Sequence, residues 1–178
     1  MPTTYHRCPE DVTALAGELL CKYESHKPLL DARVKTDLVF ACPDLDDEGH
    51  PTTNAISKNG VRALGLARKL GLKDRAMGRG DAEILVDHHW WTQTASEEQQ
   101  RALLDHELHH LAVVAQKETD IAKRDDLGRP VLRLRKHDFE FGWFTIIAAR
   151  HGEHSIERRQ AKEIVERAGQ LYFPEFAH

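Results

Sequence analysis

The stretch Ser96-Glu97-Glu98-Gln99-Gln100-Arg101-Ala102-Leu103-Leu104-Asp105-His106-Glu107-Leu108-His109-His110-Leu111-Ala112-Val113-Val114-Ala115 decides how this chain is read. Ser96 and Gln99 stand at the S-x-x-Q spacing of a capping box, in which two side chains satisfy backbone N–H groups that a helix start leaves unpaired. No Pro or Gly interrupts the run up to Lys117, and Leu103, Leu104, Leu108, Leu111, Ala112 and Ala115 recur at three- and four-residue steps. The spacing predicts one long helix from Glu97 to Lys117, carrying an HExxH motif in its middle.

On a helix, residues four apart share a face, so His106 and His110 can bind one metal ion. Glu107, next to the first histidine, can then act as general base on a water held by the metal. Zinc is the metal that imidazole donors favour; it acidifies such a water and polarises a substrate carbonyl. With 12 histidines in the chain, chance supplies roughly 0.07 matches to the bare pattern, so the capped helix around it carries more weight than the motif. His109 offers a competing i, i+3 pair with His106, but that pairing leaves Glu107 out of place.

The chain has 178 residues, a length suited to a single domain, residues 1–178, with a substantial core. A hydrophobic fraction of 40% and a charged fraction of 30% fit a soluble globular protein. The net charge of −4 argues against wrapping nucleic acid through bulk electrostatics. No segment has the apolar length of a membrane span, and Met1 to Asp11 lacks the apolar core of a signal peptide. Cys8, Cys21 and Cys42 show no CxxC spacing, which leads us to expect reduced thiols and a cytoplasmic setting.

Working outward, Pro9 to Lys22 reads as an amphipathic helix with Val12, Leu15, Ala16, Leu19 and Leu20 on one side. Arg33 to Ala41 suits a strand, Asp44 to Asn59 a polar loop, and Ala82 to Asp87 a short apolar strand. Val61 to Leu70 has helical spacing that Gly60, Gly65 and Gly71 weaken. Asp126 to Pro130 reads as a turn and Val131 to Arg135 as a strand. Asp138 suits the N-cap of a helix to Arg150, and Ser155 the cap of a last helix through Ala168. The fold class expected is α+β.

A catalytic zinc site keeps three protein ligands and an open position. His137 leads as the third because it ends a strand, with Asp138 and Glu140 as alternatives. Asp138 already has a use as a helix cap, and Glu140 suits the first turn of that helix.

The runs Gly80 to Asp87, Trp90-Trp91 and Glu98 to His110 resemble the putative phage metallopeptidases, as do Gly128-Arg129-Pro130 and Leu134 to Glu140. The LLDHELHH and RKHD segments are the most specific parts of that resemblance. These are phage and prophage proteins regarded as small zincins, distantly similar to SprT-like proteases. The resemblance implies a zincin-like domain, its HExxH helix packed on a short mixed or antiparallel sheet. It also implies zinc held by His106 and His110, Glu107 as catalytic base, and completion of the site near His137 and Asp138. It further implies a strand at 61–70 edging the cleft, against the helical spacing. Many members carry another Glu where this chain has Phe141.

The expected function is zinc-dependent peptide hydrolysis in the cytoplasm, that of a host cell if the chain is phage-encoded, with a protein or peptide as substrate. A second class is a non-catalytic module that keeps zinc as a staple, closed by Asp138 or Glu140 as fourth ligand. A third is a DHH phosphoesterase, suggested by Asp87-His88-His89 and Asp44-Leu45-Asp46; the chain is short for that architecture and lacks its glycine-rich motif. Arg129, Arg133, Arg135 and Lys136 form a basic strip near the proposed site, more in keeping with a solvated sheet face than with a nucleic-acid contact.

Overall fold

In the computed structural model, which describes residues 3–58, 60–117, 119, 121–137, 150, 154, 158 and 161–166, the chain divides into two units, Met1–Lys136 and His137–His178. The first unit is built on a four-stranded sheet of β1 (Thr4–Arg7), β2 (Thr36–Cys42), β5 (Gly65–Lys69) and β6 (Ala82–Asp87), in the order β1-β2-β6-β5. The β2–β6 pair is parallel and the two outer pairs are antiparallel. The sheet is therefore mixed, and β5 lies at one edge.

β6 is buried at every position, which explains why Ile84, Leu85 and Val86 are apolar in succession rather than in alternation. Ile84 and Val86 face one way, with Leu38 and Phe40 of β2 beside them. Against them pack Val12, Ala16 and Leu19 of α1 (Glu10–Lys22), together with Leu104 and Leu108 of α5 (Glu97–His109). Leu85 faces the other way, into a smaller cluster with Ala41, Ala55 and Ile56. Each fully buried Leu or Ile contributes about 1.5–3 kcal/mol, so α5 is held to the sheet chiefly by Leu104 and Leu108.

β6 and the residue before it also carry buried acids. Glu83 is paired with Arg68 and Arg79, Asp87 with Arg62, and Asp81 with Arg75 and Arg129. Arg75, in α3 (Leu72–Ala76), is itself buried and also bonds Asp125 at 2.6 Å and the Pro130 carbonyl at 2.5 Å. Buried acids of this kind persist only when paired and hydrogen-bonded. Arg129 therefore belongs to an interior network rather than to a solvated basic strip.

Several expectations hold. The helix from Pro9 is α1, the strand at 82–87 is β6, and the strand at 131–135 is β8 (Leu132–Leu134). The turn before β8 closes with the Gly128 N–H donating to the Asp125 carbonyl, Gly128 having φ +71°. The helical spacing of 61–70 is overruled: residues 65–69 form the edge strand β5, as the family resemblance implied. The loop at 44–59 is largely irregular, but its end joins a hairpin of β3 (Ser57–Lys58) and β4 (Val61–Arg62).

One expectation is corrected. The helix does not run to Lys117; it ends at His109, with His110 as its C-cap. Leu111–Val113 then form β7, paired antiparallel with β8. Leu111 and Ala112 are buried, but as strand residues. An unbroken apolar run fits either conformation, and pairing with residues twenty positions downstream decides between them. A further short helix, α4 (His88–Gln93), carried no periodicity to reveal it and is capped by the Asp87 side chain.

In the second unit residues 161–166 are helical, and Lys162 lies 3.8 Å from Glu166 one turn away, in keeping with an ion-paired helix face. The helix starts expected at Asp138 and Ser155 lie outside the described residues. No helix among the described residues is long and apolar enough to cross a membrane.

Candidate metal centre and its carboxylate

The capping box starts α5 where the sequence indicated. Ser96 Oγ accepts from the Gln99 N–H at 3.3 Å, and Gln99 Oε1 accepts from the Ser96 N–H at 2.9 Å. That start sets the phase of the helix. Leu104 and Leu108 then point into the core, and His106 and His110 share another face with ring centroids 4.9 Å apart. Both histidines sit in the last turn, where the partial negative charge of the helix end favours a cation.

His110 is fixed by the strand that returns beside it. Its carbonyl accepts from the Arg135 N–H at 2.7 Å, and its Nδ1 lies 2.9 Å from the Arg135 carbonyl oxygen. A carbonyl only accepts, so Nδ1 carries the proton and Nε2 is left with its lone pair for a ligand. Backbone oxygens commonly orient metal-binding histidines in this way. Nothing in the sequence singled out Arg135 for this part.

His137 follows Arg135 by two residues. It is the residue the sequence offers as third donor. Zinc favours imidazole donors, so the His106–His110 pair suits that ion. His109 is not in this group; its ring makes an edge contact with His26 at 6.0 Å, and Arg135 donates to its carbonyl at 3.0 Å. Of the other two residues considered as third ligand, Asp138 and Glu140, both lie outside the described residues.

Glu107 is buried to 4% exposure, and its Oε2 accepts the Ala67 N–H at 2.8 Å. Burial pushes its carboxyl above the usual glutamate range, while His110, the Ala67 N–H and Lys58 pull against that rise. A carboxylate poised upward in this way accepts a proton more readily near neutral pH. The contact with Ala67 explains why β5 matters to the site, and it was invisible in the sequence.

The other motif does not assemble. Asp87 is buried, its carboxylate engaged by Arg62 at 3.0 Å and by the Trp90 N–H at 3.1 Å. His88 is half-buried and edge-on to Phe40, at 4.9 Å between ring centroids. Asp46, Glu48 and His50 bring ligand atoms within 4.8 Å of one another, but all three are exposed. They form a turn in which Asp46 accepts the Glu48 and His50 N–H groups.

Comparison with curated proteins and with solved structures finds no match. A family model described as putative phage metallopeptidase matches residues 4–169, which include all of the sheet, α5 and the residues just described. The chain therefore belongs to the putative phage metallopeptidase family.

Proposed function

We propose that the protein is a zinc-dependent peptidase in which His106, His110 and His137 hold the metal and Glu107 is the general base. The reading rests chiefly on one observation: two imidazoles on one helix face, their ring centroids 4.9 Å apart, beside a buried glutamate of the same helix. Zinc bound there would supply a Lewis acid that polarises the scissile carbonyl and acidifies a water. Glu107 takes a proton from that water as its oxygen adds to the carbonyl carbon. It returns the proton to the amide nitrogen as the C–N bond breaks, so one water is consumed for each peptide bond cut. Family membership supports a protein or peptide substrate.

A purely structural zinc has no use for a buried carboxylate beside its first histidine, which favours catalysis over the stapled-module reading. The test is zinc content of the purified protein beside His106→Ala, His110→Ala and His137→Ala, with hydrolysis of casein measured for wild type and Glu107→Gln. One equivalent of zinc, lost in the histidine variants and kept in an inactive Glu107→Gln, is the expected result. Full activity in Glu107→Gln, or no zinc uptake by the wild type, would overturn the proposal.

A further inference from the structure

Gly65 opens the edge strand β5, and its place there is not explained by backbone conformation. Among the described residues the glycines with positive φ are Gly49, Gly60, Gly78 and Gly128; Gly65 is not one of them. Space is the explanation. A methyl group on the Gly65 Cα would stand 2.6 Å from Glu107 Oε1, 2.8 Å from its Cγ and 2.9 Å from its Cδ. Separations under about 3 Å between such atoms are repulsive, so no side chain fits unless Glu107 moves. Two residues along the same strand, the Ala67 N–H holds the other carboxylate oxygen at 2.8 Å.

We propose that Gly65 and the Ala67 amide are positioning groups for Glu107, and this rests on the reading of Glu107 as general base. The Cα of Gly65 is a flat surface against which the carboxylate lies, and the Ala67 N–H fixes its rotation by gripping Oε2. Residues 65 and 67 project their outward backbone groups on the same side of β5, since strand geometry repeats every second residue. The pair therefore acts as one device: a bare Cα for contact and an amide for direction. Because the alternate residues of β5 face β6 along its other edge, at the Leu66↔Leu85 and Arg68↔Glu83 positions, the device is anchored to the most buried strand of the sheet. A base set by rigid backbone is pre-organised, and a displacement of about 1 Å at such a group costs on the order of 10²-fold in rate.

The atoms that obstruct a methyl group belong to the end of a side chain. Gly65→Ala therefore displaces Glu107 rather than unfolding the strand. Two measurements on Gly65→Ala test this, with Gly71→Ala as control, since a methyl group at Gly71 meets nothing closer than 3.8 Å. In the metal-free protein, hydrogen exchange of the Ala67 amide speeds up about tenfold in Gly65→Ala, as it does in Glu107→Ala. Amides of the β5–β6 ladder keep wild-type protection. In the zinc-loaded protein, kcat on a fluorogenic peptide falls about 10²-fold with KM and zinc content unchanged. Wild-type exchange at Ala67 in Gly65→Ala, or faster exchange with kcat intact, would overturn the proposal. A zinc-loaded wild type that cleaves neither casein nor peptide would overturn the peptidase reading instead. The exchange measurement would then decide alone whether Gly65 and Ala67 hold the carboxylate.

Discussion

Asp105, the residue immediately before His106, accepts a hydrogen bond of 2.6 Å from Nε2 of His26, and His26 is fully buried. The carboxylate can only accept, so Nε2 carries the proton. The bond joins the helix bearing HExxH to the short helical turn Glu24–His26, on a face of α5 different from that of His106 and His110. Truncating His26 removes both the bond and a packed ring. His26→Ala is expected to lower stability by about 2–4 kcal/mol, read from the urea midpoint. Asp105→Asn, which keeps the shape and loses the charge, should cost about 1 kcal/mol. Equal midpoints for wild type and His26→Ala would show that the contact carries no stability.

Gly17 sits in the interior of α1, and a methyl group there meets nothing within 4 Å. Glycine in a helix interior is less favourable than alanine by roughly 0.5–1 kcal/mol. Gly17→Ala should raise the melting temperature by a few degrees, and calorimetry would show it.

Arg75 is a stability determinant. It holds Asp81, Asp125 and the Pro130 carbonyl together. Arg75→Ala removes one of the two arginines that pair the buried Asp81 and leaves Arg129 in place. The expected loss is about 3–5 kcal/mol, measurable by denaturant unfolding, with Arg75→Lys retaining only part of the stability because Lys cannot bridge several acceptors at once.

Asp125 gives that network a pH dependence. Its carboxyl lies below the ordinary aspartate value, chiefly because it accepts the Arg129 N–H, with help from Leu127 and the charges of Arg75 and Arg129. A lowered folded value means the contribution is present above the unfolded value and is lost as pH falls through the folded one. Asp125→Asn should therefore flatten the acid limb of the stability profile, and its difference from wild type should vanish at the lowest pH.

The thiols differ in reactivity. Burial, with Asp11 and Cys42 adding to it, pushes Cys8 from an ordinary value of 9.0 up to about 12, whereas Cys21 is exposed. The thiolate is the reactive form, so iodoacetamide at pH 8 should label Cys21 and leave Cys8 unmodified, as peptide mass mapping would show. The raised value also means that Cys8 favours the folded state below about pH 9 and that this preference is lost as pH climbs toward 12.

Parts of this architecture were legible in the residues and others were not, for physical reasons. The capping box at Ser96 and Gln99 is a local interaction, so the start of α5 could be read directly. The end of α5 could not. Leu111 to Ala115 is equally apolar as helix or strand, and its partner Leu132–Leu134 is remote in sequence. β6 was readable as a strand because both its faces are covered, yet Glu83 and Asp87 within it gave no sign that arginines from three separate positions would pair its acids. HExxH announced His106, Glu107 and His110 through helix geometry alone. The groups around them (Arg135 at His110, Ala67 at Glu107, His26 at Asp105) act mostly through backbone or across long separations, and such contacts leave no pattern in a single sequence.

The bond between His110 and Arg135 has a consequence for the segment that separates them. Residues 114–131 leave β7 and come back into β8, with Val114 donating to Val131 and Lys123 to Val114 on the way. Whatever grips the His110 side chain also secures the place where this excursion closes. By reciprocity of coupled equilibria, opening of the excursion must weaken that grip to the same degree. The exposed Leu127 at its tip thereby becomes a reporter: limited proteolysis near the 125–129 turn should slow when zinc is added, and the factor by which it slows gives the coupling between the loop and the ion.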